Sequence, residues 1–280
     1  LGFSREGCGV DASPVLLRSA VLAHVPHAFS TRSGGVSDGV YATLNFGSPG
    51  DVPAHERDSR EHVAENVRRV LAAIGCDGRR LCQLHQVHGS RVHVVHAEHG
   101  ADCFGTREQG DALVCAASAM CVGVRVADCG PVLLATRDGR VVAAVHAGWR
   151  GVVAGVLVES VRAMRGLAPR EAIVAAIGPC LGAQASEMGE DVAATICEAT
   201  RTWAGTDDGL VLAERSARGR PLVDLVCAMR LQLLAAGVRE VDTSCHACTA
   251  SDASRFFSHR REAGRTGRML AVVGPAASLA

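Results

Sequence analysis

Five histidines fall within the fifteen residues HQVHGSRVHVVHAEH, at His85, His88, His93, His96 and His99. His88 stands apart because Gly89 follows it, which lets the chain turn closely around whatever the imidazole binds. Cys129 in VRVADCGPVLL and His146 in VVAAVHAGWRG are the other two candidates. The apolar runs PVLLAT and VVAAVH flank Arg137-Asp138-Gly139-Arg140, and an Asp-Gly centre is a type I′ hairpin signal. In that register Pro131 faces His146, so His146 lies within one or two residues of Cys129 across the sheet end. Two imidazoles and one thiolate suit zinc, with a fourth position left open. The plainer reading makes Cys129 a buried thiol and His146 a hydrogen-bonded histidine, and spacing alone leaves both open. Cys245-x-x-Cys248, with His246 inside it, is a rival site that lacks the second pair of a structural zinc centre.

Anion chemistry has its own candidates. Arg150, after Gly148-Trp149 and at the start of an apolar helical pattern, combines a guanidinium with free helix N–H groups. Arg32 in STRSGGVSDG offers a second donor fork beside glycines. The run RFFSHRREAGRTGR holds Arg255, Arg260, Arg261, Arg265 and Arg268, and a local phosphate site fits it better than a nucleic-acid face. There is no Walker A, no HExxH and no GxSxG elbow.

The elements that must position these residues follow from hydrophobic period. Residues 55–74 repeat Val63, Val67, Val70, Leu71 and Ile74 at helical spacing, closed by Gly75. RVHVVHA, DALVC, CVGVRV, PVLLAT and VVAAVH then read as short strands. Helices are expected at 151–165, at 186–199 and at 221–236, the last opening on Pro221. EAIVAAI, VREVDT and RMLAVV are further strands. Strands and helices are interspersed without regular alternation, so an α+β single domain of mixed sheets is expected over 1–280, with no linker to divide it.

Composition removes several classes. The 280 residues carry 29 basic and 29 acidic side chains, so no global charge draws them to nucleic acid or membrane. Every basic residue is arginine, which excludes Schiff-base and P-loop lysines. With nine aromatic residues, stacking platforms for bases are hard to build. No apolar run reaches the roughly 18 residues of a membrane span, and LGFSREGCGVDASP lacks a leader pattern, so a cytoplasmic protein is expected. The twelve cysteines are scattered, and most read as small buried hydrophobes.

The blocks FSTRSGGVSDGVYATLN, QLHQVHGSRV, VADCGPVLL, AAVHAGWRGVVAGVL, AAIGPCLG and CTASDASRFFSHRREAGRTGRM occur in this order between about residues 27 and 273. They resemble the multicopper polyphenol oxidoreductase (laccase-domain) family, whose members are described as unconventional purine nucleoside phosphorylases. The resemblance implies layered mixed β-sheets flanked by helices, akin to a toxin-deamidase-like cysteine hydrolase fold. It implies a metal site on His88, Cys129 and His146, the same trio that spacing favours. Zinc is the implied cofactor, with copper an adventitious occupant. The implied chemistry is phosphorolysis of adenosine, inosine and methylthioadenosine, with deamination of adenosine. Asp128 and Cys180 are the candidate acids; Arg32, Asn45, Arg150 and Arg261 are the candidate substrate or phosphate ligands. The partners expected are purine nucleosides and phosphate, without nucleic acid or membrane, for a monomer or homodimer. The chain departs from the family pattern at Val67, Gly130 and the Cys245-His246 pair, which bears on substrate preference. Alternative readings are an amidase that edits cell-wall precursors, a copper-dependent polyphenol oxidase, and a non-catalytic nucleotide-binding protein.

Overall fold

The computed structural model describes residues 13–50, 52–96, 108–205 and 211–277. The strands along them are β1 (Leu16–Leu17), β2 (His27–Ser30), β3 (Arg80–Cys82), β4 (Val92–Val95), β5 (Ala112–Cys115), β6 (Met120–Val126), β7 (Gly130–Thr136), β8 (Val142–Ala147), β9 (Ile173–Ile177), β10 (Leu212–Arg215), β11 (Pro221–Val223), β12 (Glu240–Asp242) and β13 (Met269–Val273). The α-helices are α1 (Arg60–Ala73), α2 (Trp149–Val153), α3 (Val156–Leu167), α4 (Glu190–Ala204) and α5 (Leu225–Ala235). One mixed sheet has the order β1-β2-β13-β6-β3 and a second the order β12-β9-β7-β8-β5-β4, while β10 and β11 form a separate hairpin.

Period-2 alternation explains how the two large sheets stack. Leu133 and Ala135 of β7, with Val142 and Ala144 of β8, pack toward Val122, Val124 and Val273 of the five-stranded sheet. Val132, Leu134 and Val145 point the other way, onto Leu157, Val161 and Met164 of α3 and Met229 and Leu233 of α5. On the far side of the five-stranded sheet, Leu270 and Val272 meet Val70 and Leu71 of α1. The result is an α+β arrangement with both faces of the central strands covered. All seven residues of β7 are therefore buried, which is why that strand reads as a continuous apolar run.

Several expectations need correction. Pro131 does pair with His146, but the turn that sets this register is not type I′. Gly139 alone takes a left-handed conformation (φ 71°), and its N–H donates to the Thr136 carbonyl. The Asp138 carboxylate accepts from Thr136 Oγ1 and the Arg140 N–H instead. The helix expected over 151–165 is two helices, α2 and α3, separated at Gly155 (φ 82°). Pro221 opens a strand rather than a helix, and α5 begins four residues later with the Asp224 carboxylate capping the Cys227 N–H. The first helix starts at Arg60, capped by Ser59, with a 3₁₀ turn at Ala54–Glu56 before it. Among the described residues six cysteines are buried free thiols, whereas Cys82 is disulfide-bonded.

The glycine-rich stretch near residue 35 is held by α1. Asn66, fully buried, accepts the Val36 N–H (2.9 Å) and donates to Ser37 Oγ and the Asn45 carbonyl (both 2.9 Å). Asn66→Ala leaves those groups without partners, and a loss of about 2–3 kcal/mol is expected in urea unfolding. A variant as stable as the parent would mean that water replaces the amide.

Candidate metal centre and its cavity

Cys129 stands immediately before β7, and His146 is the penultimate residue of β8, so one hairpin end supplies both. His88 comes from the segment before β4, in a left-handed conformation (φ 61°) that is uncommon for a residue with a Cβ. Asp111 holds it there. Its buried carboxylate accepts the N–H groups of His88 (2.9 Å) and Gly89 (2.7 Å) and the ring Nδ1–H of His146 (2.7 Å). The imidazole and thiolate donor atoms of His88, Cys129 and His146 then lie within 4.8 Å of one another, the only such cluster among the described residues. The two rings meet edge-on at 79°. Gly148 packs closely beside them: a Cβ there would come 3.0 Å from Cys129 Sγ and 3.1 Å from His88 Cδ2, so the two side chains would have to shift.

The charges of the trio follow from this packing. Burial alone would raise the Cys129 thiol, but the His146 charge and hydrogen bonds from both rings outweigh it and bring it down to about 6. Burial likewise opposes a charged His146, yet the Cys129 thiolate and Asp111 raise it to about 9. Asp111 is itself held below the usual carboxylate range: burial works against this, and His146 and the Gly89 and His88 N–H groups prevail. Without metal, the site is a thiolate–imidazolium pair backed by a carboxylate.

The trio opens on a cavity of about 800 Å³, within the range of small-molecule sites. Trp149, Leu181, Met188 and Leu225 line it on the apolar side, with His85, Asp128 and His259 also at its wall. Its guanidinium residues are Arg57, Arg125, Arg260 and Arg268.

The other residues singled out in the sequence are placed differently. Arg150 is exposed, stacks on Trp149 at 4.5 Å and is not part of the cavity lining. Arg32 is spent on the Ala42 and Ala253 carbonyls and on the ring of Phe257. Arg261 donates to the carbonyls of Thr249, Ala250 and Phe256. Asn45 is fully buried, with its amide bound to Asp58 and its Oδ1 accepting the Gly47 and Arg268 N–H groups. None of the four is among the residues that line the cavity. Asp128 does line the cavity, in a left-handed conformation (φ 84°), and accepts Thr249 Oγ1 (2.6 Å) and the Arg260 N–H (2.7 Å). Cys180 is buried outside the lining, 3.5 Å from His246 Nδ1, and burial pushes its thiol up. His93 bonds the Gln109 carbonyl, His96 is exposed, and His99 lies outside the described residues. Asp111 and Arg125 were not singled out in the sequence; the one signal for each is a lone charge at a strand that is otherwise apolar.

The model of the family described as multi-copper polyphenol oxidoreductase laccase matches residues 26–276. A Deinococcus radiodurans protein named purine nucleoside phosphorylase is 42% identical over 260 residues, which is 92% of each chain. One of that name from Pseudomonas aeruginosa is 35% identical, over 90% of this chain and 93% of its own. Among solved structures, YlmD from Geobacillus stearothermophilus superposes with a TM-score of 0.79 at 31% identity, covering 94% of this chain and 96% of that one. A Neisseria meningitidis protein gives 0.77 at 34% identity, covering 95% and 100%. No helix among the described residues is long and apolar enough to cross a membrane. With sequence and layered fold matching over nearly the whole length, the chain belongs to the multi-copper polyphenol oxidoreductase laccase family.

Proposed function

We propose that the chain is a zinc-dependent purine nucleoside phosphorylase acting on adenosine, inosine and methylthioadenosine, and that the same centre deaminates adenosine. The observation that carries this is the convergence of His88, Cys129 and His146 on the wall of the cavity. The resemblance to proteins named purine nucleoside phosphorylase supplies the substrate class.

The donor set fits zinc: two imidazoles, one thiol already inclined to ionise, and a carboxylate behind His146. Bound there, zinc supplies Lewis-acid polarisation at an open position. The chain's own residues do the rest. Asp111 accepts a hydrogen bond from the Nδ1–H of His146, which leaves Nε2 to face the ligand site. Trp149, Leu181, Met188 and Leu225 offer apolar surface for a flat base. Of the two acids considered for the leaving group, Asp128 lines the cavity and Cys180 does not, so Asp128 is retained. A dioxygen-reducing polyphenol oxidase needs coupled copper centres with many imidazoles, and the one three-donor cluster found among the described residues is too small a set for that.

Zinc-loaded and copper-loaded protein should be assayed side by side with adenosine and inosine, with and without phosphate. Ribose 1-phosphate is expected from the zinc form only when phosphate is present, with some ammonia from adenosine. No ribose 1-phosphate from the zinc form, together with rapid phenol oxidation and dioxygen consumption by the copper form, would overturn the reading.

A further inference from the structure

Cys245-x-x-Cys248, with His246 inside it, lies outside the metal trio. The fold gives its two thiols different neighbours. Cys245 packs between the two large sheets with Val174 and Ala176, whereas Cys180 belongs to the layer on the helix side of the six-stranded sheet. Cys248 sides with Cys180. The two form an isolated parallel bridge, in which the Cys180 N–H donates to the Ala247 carbonyl (3.2 Å) and the Thr249 N–H to the Cys180 carbonyl (3.0 Å). Paired residues of neighbouring strands point to one face with backbones about 4.8 Å apart. That is inside the span of roughly 4.4–6.8 Å between the α-carbons of a disulfide. Gly182 leaves room for the approach, since a Cβ there would lie 3.0 Å from Cys248 Cβ and 3.3 Å from its Sγ. Both thiols are free.

Their surroundings differ. Cys248 is half-buried and accepts from Ser251 Oγ at 3.3 Å. Burial works to raise its thiol, but that hydroxyl and the N–H groups of Gly182, Ser251 and Ala250 prevail and lower it. Cys180 is buried, which pushes its thiol up, and stands 3.5 Å from His246 Nδ1. Burial also lowers His246, so its neutral ring can take the Cys180 proton. An accessible thiol that ionises, beside an enclosed thiol with a base, matches an attacking and a resolving cysteine. Both strands of the bridge hold Asp128: the Leu181 N–H donates to its carbonyl (2.9 Å) and Thr249 Oγ1 to its carboxylate (2.6 Å).

We propose that Cys248 and Cys180 form a second chemical site, a dithiol that reduces hydroperoxides and closes to a disulfide behind the Asp128 wall of the cavity. The Cys248 thiolate attacks hydrogen peroxide; an S–O bond forms, the O–O bond breaks, and the departing hydroxide takes up the proton that Cys248 released. Cys180 then passes its proton to His246 and attacks the Cys248 sulfur. The S–S bond forms, the S–O bond breaks, and hydroxide leaves with the His246 proton as water. Two thiols and one peroxide give one disulfide and two waters. None of these steps involves a nucleoside.

The test adds hydrogen peroxide to the reduced, zinc-loaded full chain, followed by alkylation and tryptic digestion without reduction. Every basic residue is arginine, so Cys180 lies in peptide 171–201 and Cys248 in peptide 240–255. Mass spectrometry should find these peptides joined through Cys180 and Cys248. Cys248 should be consumed at least about tenfold faster than the half-buried Cys227, whose thiol is raised by burial and by Asp224. Cys180→Ser should leave Cys248 as a sulfenic acid that dimedone traps, while Cys245→Ser should form the disulfide at the parent rate. His246→Gln should lengthen the lifetime of the sulfenic acid by at least about tenfold. Should Cys180→Ser fail to fold, Cys248→Ser provides the second variant, in which Cys180 should stay reduced. A Cys245–Cys248 disulfide, oxidation confined to Cys129, or a Cys248 that reacts no faster than Cys227 would overturn the proposal.

Discussion

Cys129→Ala will take bound zinc from one per chain to none and cut ribose 1-phosphate formation by about 10³-fold. That factor corresponds to losing roughly 4 kcal/mol of Lewis-acid stabilisation. The thiolate is the one anionic donor of the trio, and without it two imidazoles remain as ligands. A pH dependence accompanies the metal. The metal-free pair holds a thiolate above about pH 6 and an imidazolium below about pH 9. Zinc takes the thiolate and the neutral ring, so binding releases one proton between those limits and two below them. Affinity should therefore fall about tenfold per pH unit from 9 down to 6, and more steeply below. Elemental analysis, a ribose 1-phosphate assay and calorimetry in buffers of different ionisation enthalpy read all three quantities. Full nucleoside activity in a thoroughly metal-free preparation would remove zinc from the reaction.

What the sequence conveyed depended on how local the determining physics was. Val-rich runs of seven residues make strands whatever surrounds them, and the Pro131–His146 register follows from counting inward from one turn. The turn type itself is not local to the Asp-Gly pair: Asp138 has a partner in Thr136 and no need of a left-handed conformation. Pro221 suits a helix start and a strand start equally, because both accept proline at their first residue. Its partner strand in the local hairpin, Leu212–Arg215, carries too little apolar pattern to announce the pairing. The arginines are ambiguous in sequence for the same reason. A guanidinium on a long stem can serve a ligand or a backbone carbonyl. Only the fold shows Arg32 and Arg261 among carbonyls and Arg125 facing a cavity.

Asp111→Asn will lower zinc affinity by about 10–100-fold, the usual consequence of losing the carboxylate behind a ligating histidine. The argument runs through two ligands at once. On the His146 side, the carboxylate accepts the Nδ1–H hydrogen bond and so fixes which nitrogen is free. An amide could meet Nδ1 through its NH₂ group, which would favour the opposite tautomer and protonate the nitrogen that zinc needs. On the His88 side, the same carboxylate gathers the N–H groups of His88 and Gly89 into a turn that holds His88 at φ 61°. An amide has one oxygen for these donors and for the ring, so it cannot satisfy all of them. Both effects misplace ligands without removing any. Chelator competition should therefore report weaker binding at unchanged stoichiometry, which separates Asp111→Asn from Cys129→Ala. Activity should recover substantially at saturating zinc, because the donors themselves remain. Asp111→Glu keeps the charge but is longer by a methylene in a fully buried position, and it should restore the tautomer better than the turn. Unaltered zinc affinity in Asp111→Asn would show that packing around Gly148 alone suffices to aim the two rings.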